Sequence, residues 1–189
     1  LCGPAGQQER YRFACRQLVN SAGLHAQSVA QAIDGLAQES IPPLHLCKGV
    51  YFALRGRSPF SHLIYPLPDR HQHGLGVHAT LDLSGQIRFG PDTKYVDAAD
   101  YSVDERRREA FCQAISRYYP AIRAQDLQPA YAGIRPKLQA EGAGFRDFEI
   151  MDGAREGIPG LVQLFGIESP GLTASLALAQ RVRELLRAD

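Results

Sequence analysis

Two side chains stand out as chemically capable. Arg135 sits in YAGIRP, residues 131–136, an otherwise apolar stretch, and an arginine drawn into apolar surroundings needs a partner. Its planar fork suits a carboxylate, to which it donates two parallel hydrogen bonds while staying charged at any working pH. An arginine at a strand end also makes surface ion pairs, so both readings stand. Lys137, two residues on, faces the same side of a strand and either assists Arg135 or remains solvated. His78 lies in Val77-His78-Ala79, just after glycines. Imidazole titrates near neutral pH, which suits a general base, and a lone strand histidine serves equally well as a hydrogen-bonded structural residue. Tyr51 and Tyr65 offer rings and hydroxyls either to a pocket or to sheet packing. His25, His62, His71 and His73 fall in turns and loops and are background; His45 is less clearly so, because it precedes Cys47-Lys48-Gly49.

Two glycine patterns invite comparison. Gly74-Leu75-Gly76-Val77-His78-Ala79 matches G-x-G-x-x-A, but a dinucleotide fingerprint opens a helix, and here a β-hairpin follows. It reads as glycines at a strand entrance. The text near the C-terminus is more specific: LVQLF (161–165), the turn GIESPG (166–171), then helical spacing. That order aims unpaired helix N–H groups at whatever occupies the turn, favouring an anion or a polarised carbonyl. An ordinary strand-to-helix connection has the same text.

The elements that must position these groups are written in the periodicities. Tyr11, Phe13 and Cys15 alternate up to Leu18-Val19, predicting a strand over 11–20, and after Asn20-Ser21-Ala22-Gly23 the spacing of Val29, Ala32, Ile33 and Leu36 predicts a helix over 24–37. Pro42-Pro43 breaks the chain and marks a change of domain. Residues 44–94 carry short β-rich runs punctuated by glycine and proline, which predicts an antiparallel sheet. Its clearest hairpin is ATLDLSGQIRF, turning at Ser84-Gly85, with Ala79, Leu81, Leu83, Ile87 and Phe89 on one side. A helix starts near Val103, with Ser102 and Glu105 spaced as a capping box and a stripe of Phe111, Ala114, Ile115 and Tyr118. Asp104 to Glu109 is its wet face, and Pro120 ends it. PAYAGIRPKLQ and FRDFEIM, on either side of a glycine loop at 141–144, predict a second hairpin. Leu161–Phe165 is a short buried strand. The last helix has Ser169 as N-cap and Pro170 at its first position.

Composition bounds what this machinery could be. The chain has 189 residues, 44% hydrophobic and 22% charged, with 21 basic against 20 acidic side chains and a net charge of +1. This excludes a disordered tail or a fibre and gives no reason to expect nucleic acid or an anionic membrane as partner. No apolar run reaches the roughly 18 residues of a transmembrane helix. Cys2, Cys15, Cys47 and Cys112 are scattered, with neither a C-x-x-C pair nor histidines at ligand spacing, so no disulfide scaffold and no metal site are expected. Reduced thiols point to the cytoplasm, with membrane association as the variant. No basic segment precedes an apolar one, so no secretory signal is expected, and the start at Leu1 reads as that of a piece of something longer.

Six blocks then speak together: VNSAGLHA (19–26), CKGVYF (47–52), LIYPLP (63–68), GLGVHATLDLSGQIRFGPD (74–92), AGIRPKL (132–138) and LFGIESPGLTASLALA (164–179). In this order they resemble the FAD-dependent oxidoreductases of the D-amino-acid oxidase and glycine oxidase superfamily, and within it the L-2-hydroxyglutarate dehydrogenase/oxidase branch. The resemblance covers nearly the whole chain and implies the C-terminal half of such a protein. It implies an α+β fold: an antiparallel or mixed substrate-domain sheet with helices at 41–158, flanked by 1–40 and 159–189 as terminal pieces of an α/β, Rossmann-like FAD-binding domain. The family's N-terminal strand, G-x-G-x-x-G turn and helix, which hold the FAD pyrophosphate, have no counterpart here. The resemblance therefore implies that half as a partner.

Residue by residue, Asn20, Ser21, Ala22 and Gly23 match the family's second FAD motif, where a glycine lets the backbone approach the dinucleotide. Gly166, Ile167, Glu168, Ser169, Pro170, Gly171, Leu172 and Thr173 match the C-terminal flavin loop. The resemblance implies that the last helix points its N-terminus at the pyrimidine end of the flavin, where it stabilises negative charge. Lys48 and Gly49 match a block that crosses near the flavin. Arg135 matches the position that anchors the substrate carboxylate. His78 matches that of a base taking the hydroxyl proton, and Lys137, Tyr51 and Tyr65 are expected to line the substrate pocket. The implied activity is FAD-dependent oxidation of a small carboxylate, foremost a 2-hydroxy acid such as L-2-hydroxyglutarate. The alternatives are an amine or amino-acid substrate, and a non-catalytic binding module lacking the pyrophosphate site.

Overall fold

The computed structural model describes residues 12–67 and 76–188. Expectations that fall on Cys2, Tyr11, Pro68, His71, His73, Gly74 and Leu75 lie outside the described residues. In chain order the elements are β1 (Leu18–Asn20), α1 (Ala26–Gln31), β2 (His45–Leu54), β3 (His78–Leu81), β4 (Ile87–Val96), α2 (Arg108–Ser116), β5 (Leu127–Lys137), β6 (Glu149–Asp152), β7 (Leu161–Phe165) and α3 (Gly171–Ala188), with short 3-10 turns between them. The chain divides into two units, Leu1–Pro43 with Asp147–Asp189, and Leu44–Arg146.

In Leu44–Arg146 the strands form an antiparallel sheet in the order β3-β4-β2-β5. Strand alternation sends Val50, Phe52 and Leu54 to one face, where they pack with Ile87, Phe89 and Leu127 beneath Phe111 and Ile115. Those last two are one turn apart on α2 and so share a face. The Phe52 and Phe111 rings meet at 4.7 Å, and burial of each such ring contributes about 2–3 kcal/mol. The β2–β5 register shifts at Tyr51/Phe52, where β5 carries one extra residue, and alternation along β2 turns Tyr51 to the opposite face. In the other unit β7 is flanked by β1, parallel, and β6, antiparallel. Val162, Leu164 and Val182 make its core. The fold is α+β, as the blocks implied.

Several local expectations are corrected. The strand foreseen over 11–20 shrinks to Leu18–Asn20, the stretch that β7 pairs; Phe13 is 62% exposed, so its alternation lacks a partner. The helix foreseen over 24–37 is cut to six residues, and Gly35 adopts φ +85. It buries Ala26 and Ala30 and leaves Val29 outside. The hairpin between PAYAGIRPKLQ and FRDFEIM does not form: β5 pairs along the length of β2, whereas β6 pairs β7. A long matched partner outweighs the short glycine loop between the two segments. The Ser84-Gly85 hairpin stands, with Leu81 opposite Ile87, but Leu83 points into solvent. Its connection is organised by Asp82, whose carboxylate accepts from Ser84 N, Ser84 Oγ and Gln86 N. The capping box at Ser102 and Glu105 gives way to Asp104, which accepts from Arg106 N, while Ser102 Oγ donates to Asp100. The last helix begins at Gly171, one residue after Pro170.

Candidate active site

In Leu44–Arg146 the register of the sheet assembles what the sequence scatters. Ile64 and Ala79 exchange backbone hydrogen bonds of 3.0 and 2.8 Å, which sets Tyr65 beside His78. His78 pairs with Gly90 on β4, and Tyr51 on β2 pairs with Tyr131 on β5. The result is a transverse row of Tyr65, His78, Gly90, Tyr51 and Tyr131. Tyr65 stacks on His78 at 4.5 Å and 9°, His78 meets Tyr51 edge-on at 6.5 Å, and Tyr51 stacks on Tyr131 at 4.5 Å and 13°. Gly90 makes the row possible. At φ +145 its missing Cβ would lie 2.7 Å from the Tyr51 ring and 2.6 Å from Val50 O, so only glycine leaves that space.

Arg135 pairs with Cys47 and lies four residues beyond Tyr131 on the same strand. Period-two alternation therefore puts Tyr131, Arg135 and Lys137 on one face. A third cation, Arg88, holds its guanidinium 5.7 Å above the Tyr131 ring and bonds Asp82 at 2.9 Å. His78 is only 7% exposed and its Nδ1 makes no hydrogen bond. Burial lowers its pKa, the backbone of Gly76 partly opposes this, and the charge of Arg135 lowers it again. Burial and then Tyr131 raise the Tyr51 hydroxyl, against the pull of Arg135. The face thus offers an imidazole that resists protonation and has an unused nitrogen, a phenol at Tyr51 that holds its proton, and a guanidinium: it can hold an anion and accept a proton beside it.

Lys48 is not brought to this row. By alternation it faces the α2 side, where Nζ donates to Asp100 at 2.7 Å in a cleft of about 500 Å³ shared with Asp92 and Lys94. The Lys48 hydrogen bond, aided by Ser102, holds the Asp100 carboxyl well below the usual range. Gly49 has a packing reason to be glycine, since a Cβ there would lie 2.8 Å from Pro91 Cβ. Residues missed in the sequence include Tyr131, Gly90 and Arg88. Tyr131 was readable by period two from Arg135; the other two gain meaning only through cross-strand register.

The unit formed by Leu1–Pro43 and Asp147–Asp189 gathers the two segments matched to flavin motifs. Where β1 ends, Asn20 Nδ2 donates to Ala26 O at 2.8 Å and to Gln163 Oε1 at 3.1 Å, while Oδ1 accepts from Ala22 N at 3.3 Å. This ties the turn to β7 and leaves Ser21 and Ala22 exposed. Gly23 has φ +58, and no atom lies within 4 Å of where its Cβ would be. Val19, Ser21, Gly23, Leu164, Ile167 and Gly171 border a cavity of about 450 Å³. The loop and first turn of α3, Ile167 through Thr173, line a second concavity of about 540 Å³. Gly166, at φ +68, ends β7 and turns the chain into that loop. Gly171 N donates to Glu168 O at 2.5 Å and Thr173 Oγ1 to Pro170 O at 2.9 Å. Glu168 is half-buried, and Ser169, Pro170 and Leu172 are exposed. An open glycine turn, an apolar wall and the start of an 18-residue helix suit a flat ring system with carbonyl oxygens at its edge. Ser21, Ala22, Gly23 and the 166–173 loop are the residues that would hold it. In contrast, the G-x-G-x-x-A text leads straight into β3, so no helix terminus stands behind it.

Known proteins resemble this chain in sequence and in fold. The family described as "DAO: FAD dependent oxidoreductase" matches residues 3–185. The chain is 44% identical over 177 residues to L-2-hydroxyglutarate dehydrogenase, mitochondrial, of Arabidopsis thaliana, covering 87% of this chain and 36% of that protein. The structure is similar to FAD-bound L-alpha-glycerophosphate oxidase of Mycoplasma pneumoniae, with TM-score 0.73 at 21% identity, covering 90% of this chain and 42% of that one. It is also similar to glycine oxidase of Bacillus cereus, with TM-score 0.60 at 19% identity, covering 92% and 43%. The chain thus spans well under half the length of each. With the family match running through almost all of its residues, the chain belongs to the FAD-dependent oxidoreductases of the DAO family.

Proposed function

We propose that this chain is the substrate-recognising portion, with adjoining pieces of the FAD-binding portion, of an enzyme that oxidises a 2-hydroxy acid such as L-2-hydroxyglutarate. The observation that carries the reading is the pairing on one sheet face of a buried, neutral His78 with an unpartnered Nδ1 and the cation of Arg135. Arg135 grips the substrate carboxylate, assisted by Lys137, and His78 takes the proton of the adjacent hydroxyl. Tyr51 and Tyr65 shape the face around them. FAD, when bound, supplies the hydride acceptor. Ser21, Ala22, Gly23 and residues 166–173 would hold it, and the amides of α3's first turn would favour negative charge there. The 44% identity to an L-2-hydroxyglutarate dehydrogenase supports the hydroxy-acid choice.

The same reading assigns the pyrophosphate contacts to a preceding FAD-binding segment. β1 borders only β7 among the described strands, and its Leu18 and Val19 are 44% and 40% exposed, as suits an edge that such a segment covers. Cytoplasmic placement also belongs to this proposal and rests on the absence of a disulfide at the described Cys15, Cys47 and Cys112. Among the described residues no helix is long and apolar enough to cross a membrane.

The test is anaerobic reduction of the full-length flavoprotein. L-2-hydroxyglutarate bleaches the visible flavin bands, and glycine does not. Bleaching by glycine in place of the hydroxy acid supports amine oxidation instead, and a full-length protein without flavin bands overturns the reading altogether.

A further inference from the structure

Tyr65 draws attention because its ring stacks on His78. It is 53% exposed, yet one face lies flat on His78 at 4.5 Å and 9°. The placement is enforced from the backbone. Ile64 and Ala79 exchange both of their hydrogen bonds, and in antiparallel register the next pair is Tyr65 and His78. Such cross-strand neighbours hold their side chains about 5 Å apart whatever else happens around them. Tyr51 meets the imidazole at 6.5 Å and 74°, edge to face, and is itself stacked on Tyr131. The imidazole therefore has Tyr65 flat against it and Tyr51 edge to face. His78 is 7% exposed although it belongs to β3, the outermost strand of its sheet. Among the described residues, the 63–67 segment borders β3 on that side and lays the Tyr65 ring on His78.

We propose that Tyr65 is a positioning residue for His78: its stacked ring fixes the imidazole plane and shields it from water. This rests on the reading of His78 as the base but goes beyond it, since Tyr65 then acts through His78 and not by gripping substrate. Among the described residues, the groups facing the imidazole are Tyr65 from the 63–67 segment, Tyr51 from β2, Arg135 from β5 and the Gly76 backbone. Removing the Tyr65 ring admits water on one side and leaves the others in place. The imidazole then becomes easier to protonate and freer to rotate.

The experiment compares Tyr65→Phe, Tyr65→Leu and Tyr65→Ala in the full-length holoenzyme, following the His78 ring by NMR titration alongside the pH dependence of kcat/KM. Tyr65→Phe keeps the flat ring and retains both profiles. Tyr65→Leu keeps bulk without a flat face, which guards against misfolding as the cause of any change. In Tyr65→Leu and Tyr65→Ala the His78 titration moves up toward about 6.5 and the acid limb of kcat/KM moves with it. kcat falls about ten- to hundredfold, the scale of a misplaced catalytic group, with KM little changed. A raised KM with an unmoved His78 titration makes Tyr65 a substrate contact and overturns the proposal. A moved titration that the acid limb does not follow upholds the positioning and overturns the base role of His78.

Discussion

His78 and Arg135 place opposite demands on one small region, and the structure meets both. A buried imidazole beside a guanidinium resists protonation, because desolvation and the neighbouring positive charge both penalise the cation. Its pKa in the folded chain lies below the unfolded value, so the associated stability is complete above about pH 6.5 and is lost as the pH falls below that value. In the proposed function His78 is the base and Arg135 the anchor of the substrate carboxylate. Arg135→Ala removes a charge-assisted, two-pronged contact and raises KM about 30- to 1000-fold, or about 2–4 kcal/mol, while the flavin stays bound. The same substitution removes one of the effects that hold His78 low, so the imidazole titrates higher. Steady-state kinetics and NMR titration read the two effects independently, and an unchanged KM refutes the anchor. Both residues could be singled out in the sequence, Arg135 by its apolar surroundings and His78 by its chemistry; their partners could not.

At the level of elements, the row around His78 depends on strands meeting at the right residue. β3 and β4 are joined locally and their hairpin was readable from Gly85 and the alternation around it. β2 and β5 are about 80 residues apart in the chain, and their pairing brings Tyr51 to Tyr131 and Cys47 to Arg135. Gly90 sits where these strands require empty space. Gly90→Ala forces a Cβ against Val50 O and the Tyr51 ring at a backbone angle that side chains rarely adopt. The expected loss is about 2–4 kcal/mol, from strain and overpacking together, read as a lowered midpoint in urea. The row should also loosen, so that His78 becomes easier to protonate. Gly23→Ala is the contrast: it carries the cost of a positive φ, but no atom stands in the way of its Cβ. Thermal melts of the two variants should therefore differ, with Gly90→Ala the more damaged.

On the scale of the whole chain, Leu44–Arg146 holds a continuous stretch of sequence with its own four-stranded sheet, its own covering helix and a core drawn from its own residues, Phe52, Phe89, Phe111, Ile115 and Leu127 among them. A segment with a complete core can fold by itself. Residues 44–146 produced alone should unfold in one cooperative transition, with Tyr51 and Tyr131 still stacked, as far- and near-ultraviolet circular dichroism would report. Gradual, non-cooperative melting would show that the segment needs the rest of the chain. The other unit is assembled from both chain ends, so β1 and β7 must find each other across the whole intervening stretch. That long-range pairing is why the local hairpin expected between β5 and β6 yields to two separate sheets.

The sequence by itself determined the chemistry available: a guanidinium in apolar text, an imidazole after glycines, a glycine turn, and a strand–loop–helix ending whose order a family shares. It determined these because side-chain chemistry and local periodicity are properties of neighbouring residues. Only the tertiary structure decided which of them meet. Tyr65 reaches His78 through a two-bond bridge, Tyr131 reaches Tyr51 through a bulged register, and Lys48 turns away from both to pair with Asp100. Register is set by contacts far apart in the chain, and a one-residue slip would send every side chain to the other face.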